Sequence, residues 1–591
     1  MLALDERSDL ATIVPVTSGG DSIVNAAVAV ATSQSASGIV KAVTFEDDAN
    51  PVFGTAVNGD AMASAIASDG NLLTAAARGN MAKTGIDVAA ASIAQSGGQT
   101  GRPSAVAAAL TVQKASGLDL AAFAIGGTSV VIDGNLSGSD VSASQNEART
   151  VATANQSDSD LSLTATTIDA VRGSALATVD GTGLSTTDAG AVVHNVQDFG
   201  SSLVRASHTE AKTVVSIAGT SDGSRISVDG NSDLVAATGN NAASMLSVDA
   251  GALNTSVAVN GLQTGNGDVL ANSGGPGIPG GVRVTVDGDA SNSTISVRDN
   301  SYLASAIGNL GTNGIAITAG TMRGVAGTAA VSGSIREGYG ASADVALASN
   351  QKLGDPTNDG TLIPTILSRV FTQSGIAANG ATGSSFALED NAQQATAIGN
   401  TVANRLSVSA TDLGDGGQGA GTSLASSQFG QATVSATSDA GWLSGGHSGS
   451  LTSLSGNSNV ALASINDADN ALSIDAVTAG GASVTDAASG RFGPPSARGD
   501  HVLTNQQFAN GSVAAFVTTT ISGRVPAAGV DSSTYRVTGN RINGEASANR
   551  AVNVVTARAI DGAVSAGLAN TQINAATTQV TTLPFAWPVS T

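Results

Sequence analysis

Short stretches of this chain alternate strictly between apolar and polar positions, as in Ile226-x-Val228, Ile295-x-Val297 and Leu246-x-Val248-x-Ala250. A period of two puts the apolar side chains on one side of an extended backbone, so these stretches predict strands. The alternation belongs to a longer phrase, in which Ile226-x-Val228-x-Gly230-Asn231 is followed by Ala237, Asn240, Leu246, Val248 and Ala250. Seven copies occur, with asparagine pairs at Asn71/Asn80, Asn146/Asn155, Asn231/Asn240, Asn300/Asn309, Asn391/Asn400, Asn457/Asn466 and Asn540/Asn549. Every pair is nine residues apart, and an alanine closes each copy at one offset: Ala90, Ala165, Ala250, Ala319, Ala410, Ala476 and Ala559. Successive copies are 75, 85, 69, 91, 66 and 83 residues apart. A rigid motif on variable intervals is expected where a repeated coil is joined by loops, because lengthening a loop costs little entropy and disturbing a ladder costs much.

The phrase reads as two short strands with a bend between them. Two asparagines an odd number of residues apart would point to opposite sides of an unbroken pleat, so a bulge or turn is required, and Gly230, Gly239, Gly399 and Gly539 are placed for it. A second pattern lies between copies: Gln34…Val40-x-Ala42, Gln428-Phe429-Gly430…Val434-x-Ala436 and Gln507-Phe508…Val513-x-Ala515, with a variant from Gln197 to Ala206. Taking a coil as about 20–25 residues, each repeat holds several coils, the glutamine pattern lies one or two turns before the next asparagine pair, and the chain forms a rod of about 110–150 Å. The expected fold is all-β: an elongated β-solenoid of about seven irregular repeats of 66–91 residues, with the asparagines stacked as a structural ladder. A string of seven β-sandwich modules is the rival. Such cores usually bury an aromatic each, and Trp442 and Trp587 are the only tryptophans.

Composition sharpens this picture. Seventy-three glycines and 12 prolines argue for turns and strands, while 41% apolar residues suffice to bury surface. The net charge of −21 and the presence of only five lysines weigh against nucleic acid and anionic membranes as partners. With no cysteine there is no disulfide, thiolate site or cysteine nucleophile. No apolar run approaches the roughly 18 residues needed for a spanning helix, and the first residues lack the pattern of a signal peptide. An acidic chain rich in threonine, asparagine and glycine suits the bacterial cell surface.

The phrase running from Gly230-Asn231 to Ala250, and from Asp390-Asn391 to Ala410, resembles the β-strand-repeat surface proteins of alphaproteobacteria, including the holdfast-anchor type, over about residues 66–559. The Gln-Phe-Gly and asparagine rows are distantly similar to curlin repeats. The resemblance implies an exported structural or adhesive protein assembled into fibres, with no catalytic residues to carry over.

Candidate chemistry is sparse. Gly219-Thr220-Ser221-Asp222-Gly223 fits a nucleophile elbow in letters but lies between alternating strands, where a turn is expected. Gly275 to Gly280 fits a dinucleotide fingerprint, yet holds two prolines and precedes a strand. His194, His208, His447 and His501 lack metal-ligand spacing and are expected on surfaces or loops. Arg498-Gly499-Asp500 spells an integrin-attachment tripeptide. No cofactor is expected, with Ca²⁺ left open by the pairs Asp158/Asp160, Asp287/Asp289, Asp467/Asp469 and Asp412/Asp415.

Three segments follow: residues 1–20 as an N-terminal segment and candidate assembly strand, 21–575 as the solenoid body, and 576–591 as a C-terminal cap or docking segment. Ile13, Val14 and Val16 at one end and Phe585 and Trp587 at the other are the candidate assembly residues. The functional expectation is an extracellular, non-enzymatic structural protein that polymerises end to end with itself for attachment or biofilm, with extracellular polysaccharide or other surface proteins as further partners. A monomeric solenoid adhesin and a polysaccharide-active β-helix enzyme are the alternatives.

Overall fold

The computed structural model describes residues 2–4, 14–17, 22–44, 52–94, 105–169, 173–179, 183–323, 329–333, 339–355, 363–414, 420–445, 449–480, 484–487, 496–524 and 532–586. They form an all-β solenoid of seven repeats, stacked in parallel and in register. The register fixes the size of a coil. Asn155 lies opposite Asn80 on one side and Asn240 on the other, so one repeat is one coil. This corrects the expected coil of 20–25 residues. It also corrects the axial length: at about 4.8 Å per level, eight levels rise roughly 34–38 Å, not 110–150 Å.

Each coil has a long face, a facing long face and a short face between them. The first long face stacks Leu72–Ala94, Glu147–Asp169, Ser232–Asn254, Ser301–Met322, Ala392–Leu413, Ser458–Ala479 and Arg541–Gly562, with Leu2–Leu4 laid against the outer edge of the first at Ile86–Val88. The facing sheet begins with Ser22–Thr44 and Ala105–Ile125 and ends with Thr422–Gly445, His501–Arg524 and Ala566–Ala586. The short face stacks seven strands, from Ala65–Ala67 to Thr534–Thr538. Coils are numbered here by their asparagine pairs, from coil 1 at Asn71 to coil 7 at Asn540. Among the described residues an eighth level is present only as Ala566–Ala586.

The asparagine phrase is not two short strands. It is one short strand such as Arg225–Asp229, which holds Ile226 and Val228, then a turn and one long ladder strand, whose pairing skips a single residue just before the second asparagine, at Ala154 and Gly239 for example. The bend before the first asparagine is real: Gly230, Gly456 and Gly539 have φ of 70°, 69° and 69°, and Asp299 and Asp390 take 55° at the same place. Glycine, and less often aspartate, tolerates this left-handed backbone. At Gly239 the demand is steric, since a Cβ there would lie 2.5 Å from the Gly308 oxygen of the next coil.

Apolar alternation on the two long faces meets between them. Leu246, Val248 and Ala250 pack with Val257 and Val259, while Val235 and Ala237 pack with Phe199, Val204 and Ala206. A third cluster under the short face holds Ile226, Val228, Val284 and Trp442. The uneven spacing of the repeats has a structural reason. Repeats of 85, 91 and 83 residues carry extra antiparallel strands, at Gly173–Val179 with Gly183–Ala189, Ala329–Gly333 with Tyr339–Ala343, and Val484–Ala487 with Ser496–Gly499. Val331 and Ala341 of the second pair cover the outer side of the facing sheet, over Val192, Val196, Ala258 and Ala346.

Candidate functional site

All fourteen asparagines fall into two continuous side-chain ladders. In the first, Asn71 Nδ2 donates to Asn146 Oδ1 at 2.8 Å, and the chain runs on through Asn231, Asn300, Asn391, Asn457 and Asn540 at 2.8–3.0 Å. Backbone N–H groups fix its direction, because Asn146 N also donates to Asn231 Oδ1 and Asn457 N to Asn540 Oδ1. In the second, Asn80, Asn155, Asn240, Asn309, Asn400 and Asn466 each donate to the next at 2.7–2.8 Å, the row ending at Asn549. Their second N–H reaches across to the facing sheet, as from Asn240 to the Thr264 oxygen at 2.7 Å. Asn240 and Asn309 are fully buried, so each amide replaces a hydration shell with matched partners, worth about 0.5–1.5 kcal/mol per bond net.

The glutamine pattern belongs to the same coil, on the sheet facing the asparagines, and not to an earlier turn. Gln113 Nε2 donates to Gln34 Oε1 at 2.7 Å and to the Gln156 oxygen across the core at 2.8 Å. The row continues through Gln197, Gln263, Gln351, Gln428, Gln507 and Gln572 at 2.6–2.9 Å. It runs opposite to the asparagine rows, since each later glutamine donates to the earlier one. A serine row also escaped the sequence reading: Ser64, Ser139, Ser224, Ser293, Ser384 and Ser450 each donate a backbone N–H to the Oγ of the serine one coil on, the last to Ser533. Its signal was present, as every one of these serines stands seven residues before the first asparagine of its pair.

Val14 and Val16 lie in Val14–Thr17, which pairs antiparallel with the start of Ser22–Thr44. Phe585 lies in Ala566–Ala586, opposite Thr520, and this strand runs across the expected boundary at 575/576. Ile13 and Trp587 lie outside the described residues.

The histidines are not on the surface where they are described. His194 is buried against Ser185 and Thr187, and His501 lies buried beside Thr422; His447 lies outside the described residues. His208 is buried beside a small half-open pocket lined by Asn71, Lys212, Asp233 and Tyr302. Its Nδ1 is 2.7 Å from Asp233 Oδ1 and its Nε2 is 2.8 Å from the Gly126 oxygen. Burial pulls its pKa down, but the Asp233 charge and the two hydrogen bonds outweigh this and leave it raised. Both ring nitrogens serve as donors here, so the imidazolium is an ion-pair partner with no lone pair free to accept a substrate proton.

Ser221 is buried and shares a hydrogen bond with Ser293. Gly275 and Ile278 close a tight turn. Asp500 of the tripeptide is buried and accepts from Ser565. Among the described residues no three histidine or acidic side chains come together as a metal site, and Asp415 lies outside them. Comparison with protein-family models, curated proteins and solved structures finds no match.

Proposed function

We propose that this chain is an extracellular structural protein that self-assembles end to end into a cell-surface filament used for attachment. The observation that carries this is the state of the two end coils. Among the described residues, Ser22–Thr44 has neighbours on one edge only beyond Ala26, and Arg541–Gly562 and Ala566–Ala586 are each paired on a single edge. Exposed parallel edges bearing ladder amides are templates for a further strand. The described histidines are held in buried structural contacts, which gives the enzymatic alternative no support from these groups.

Sedimentation of the purified chain over a wide concentration range, followed by electron microscopy, tests the reading. Long filaments one solenoid wide are expected. Single particles at every concentration would overturn it and favour a monomeric adhesin.

A further inference from the structure

Resting on the self-assembly reading, we infer that the joint is one defined strand pair: Ala566–Ala586 of one copy alongside Ser22–Thr44 of a second copy, parallel, with Gln572 opposite Gln34. Three features of the end coils lead to this register.

Hydrogen-bond polarity is the first. The glutamine row ends with Gln572 Oε1, to which no described group donates, while Gln34 Nε2 uses one N–H on the Met81 oxygen and keeps the other. A second copy stacked head to tail sets that N–H against that oxygen and continues the row. Two like ends would set donor against donor or acceptor against acceptor, which leaves amides unsatisfied as they are buried. The asparagine rows end with the opposite polarity, so they too disfavour like-end contacts.

Spacing is the second. From the glutamine to the inward residue that follows, the distance is six residues in Gln34 to Val40 and six in Gln572 to Thr578, against seven in Gln113 to Leu120. Coil 1 therefore shifts register between Ala36 and Gly38 to meet coil 2. Against Ala566–Ala586 it needs no such shift. Lys41 is the only charged residue in the two strands, so no like charges oppose one another.

The third is the path of the chain. Among the described residues level 8 is occupied on the facing sheet alone, which leaves the Arg541–Gly562 edge open. Leu2–Leu4 lies on the asparagine face, one level ahead of coil 1. Stacking Ser22–Thr44 of the second copy on Ala566–Ala586 brings that copy's Leu2–Leu4 onto the vacant level, opposite Val555–Ala557. The missing piece at one end is begun by the extra piece at the other.

The chain has no cysteine, which makes crosslinking clean. Ser33→Cys and Thr571→Cys proteins, mixed and oxidised, should give the heterodimer as the major product, because directly opposed residues of parallel strands lie within disulfide reach. Ser33→Cys mixed with Ala575→Cys, four residues out of register, should not crosslink, nor should either variant with itself. Gln572→Leu should weaken association at least tenfold in sedimentation while lowering the melting temperature of the dilute monomer only slightly, through loss of its one bond to Gln507. If the wild type associates but either cysteine variant crosslinks with itself, or Ser33→Cys crosslinks equally with Ala575→Cys, this joint is wrong and the filament reading stands. If the wild type never associates, the filament reading itself fails.

Discussion

Coils 3 and 7 carry the same asparagine phrase in different surroundings. In coil 3, Asn240 is fully buried, accepts from Asn155 and donates to Asn309, and the strand around it alternates buried and half-exposed positions. In coil 7, Asn549 accepts from Asn466 and, among the described residues, donates only to the Ile573 oxygen, and Asn549 and Val555 are half-buried where Asn240 and Leu246 of coil 3 are fully buried. The local sequence is equivalent in both. What differs is whether a neighbouring coil exists on each side, so burial here is a property of the stack more than of the strand.

Substituting glycine probes that difference most severely. Gly239→Ala places a Cβ 2.5 Å from the Gly308 oxygen and 2.6 Å from the Phe199 ring, between two fixed coils. It should lower stability by about 3 kcal/mol in denaturant unfolding. In coil 7, Gly544→Ala meets the Val580 and Val517 methyls at 3.0 and 3.3 Å, which can move aside toward the open end. That change should cost less than about 1 kcal/mol, and equal losses would mean that the last coil is as rigid as the interior.

Acidification should also separate the two coils. Burial pushes His501 of coil 7 down to about 4, against a partial opposing pull from Asp500. The unfolded chain then binds the extra proton between about pH 6.5 and 4, so stability present above 6.5 falls by up to about 3 kcal/mol across that window. His208 of coil 3 has a raised pKa, and its contribution is complete below about 6.5 and is lost only as pH rises through its folded value. Exchange protection measured down to pH 4 should therefore fall around His501 and hold around His208. Loss of the acid-induced fall in His501→Asn would fix its source.

Single amides give a smaller contrast. Asn240→Ala leaves Asn155 and the Thr264 oxygen short of a partner each and should cost about 1–3 kcal/mol, while Asn549→Ala, with no coil beyond it, should cost about half as much. Thermal melts that rank them equally would break the ladder account. Ser291→Ala, in an interval between ladder residues, should be nearly silent, within about 0.5 kcal/mol.

Much of this arrangement was legible in the chain. The constant nine-residue asparagine spacing marked two rows, and the alternation at Ile226-x-Val228 and Leu246-x-Val248 marked the inward positions. Coil size was not legible, because a motif shows where residues align and says nothing of how far the backbone travels before returning. That distance depends on pairing between Gln197 and Gln263 or Asn155 and Asn240, which only the register reveals. The buried histidines were not legible because alternation does not show how strands fold over one another: His194 is covered by Gly183–Ala189, the strand just before its own, and His208 by Asp233 and by the Gly126 oxygen 82 residues away. The serine row was readable from its fixed offset and was overlooked among many serines.

One coil per repeat also sets how this chain must acquire its structure. Partners across the asparagine face are 66–91 residues apart, so almost no ladder bond is local. Bringing such distant segments together costs loop-closure entropy before any contact rewards it, which places the chain at the slow end of folding by contact order. Once one pair of coils has formed, however, each new repeat meets a finished edge, and growth proceeds by addition of whole turns. The rate-limiting event is then the first closure, and a preformed edge, whether of the same chain or of another copy, acts as its seed.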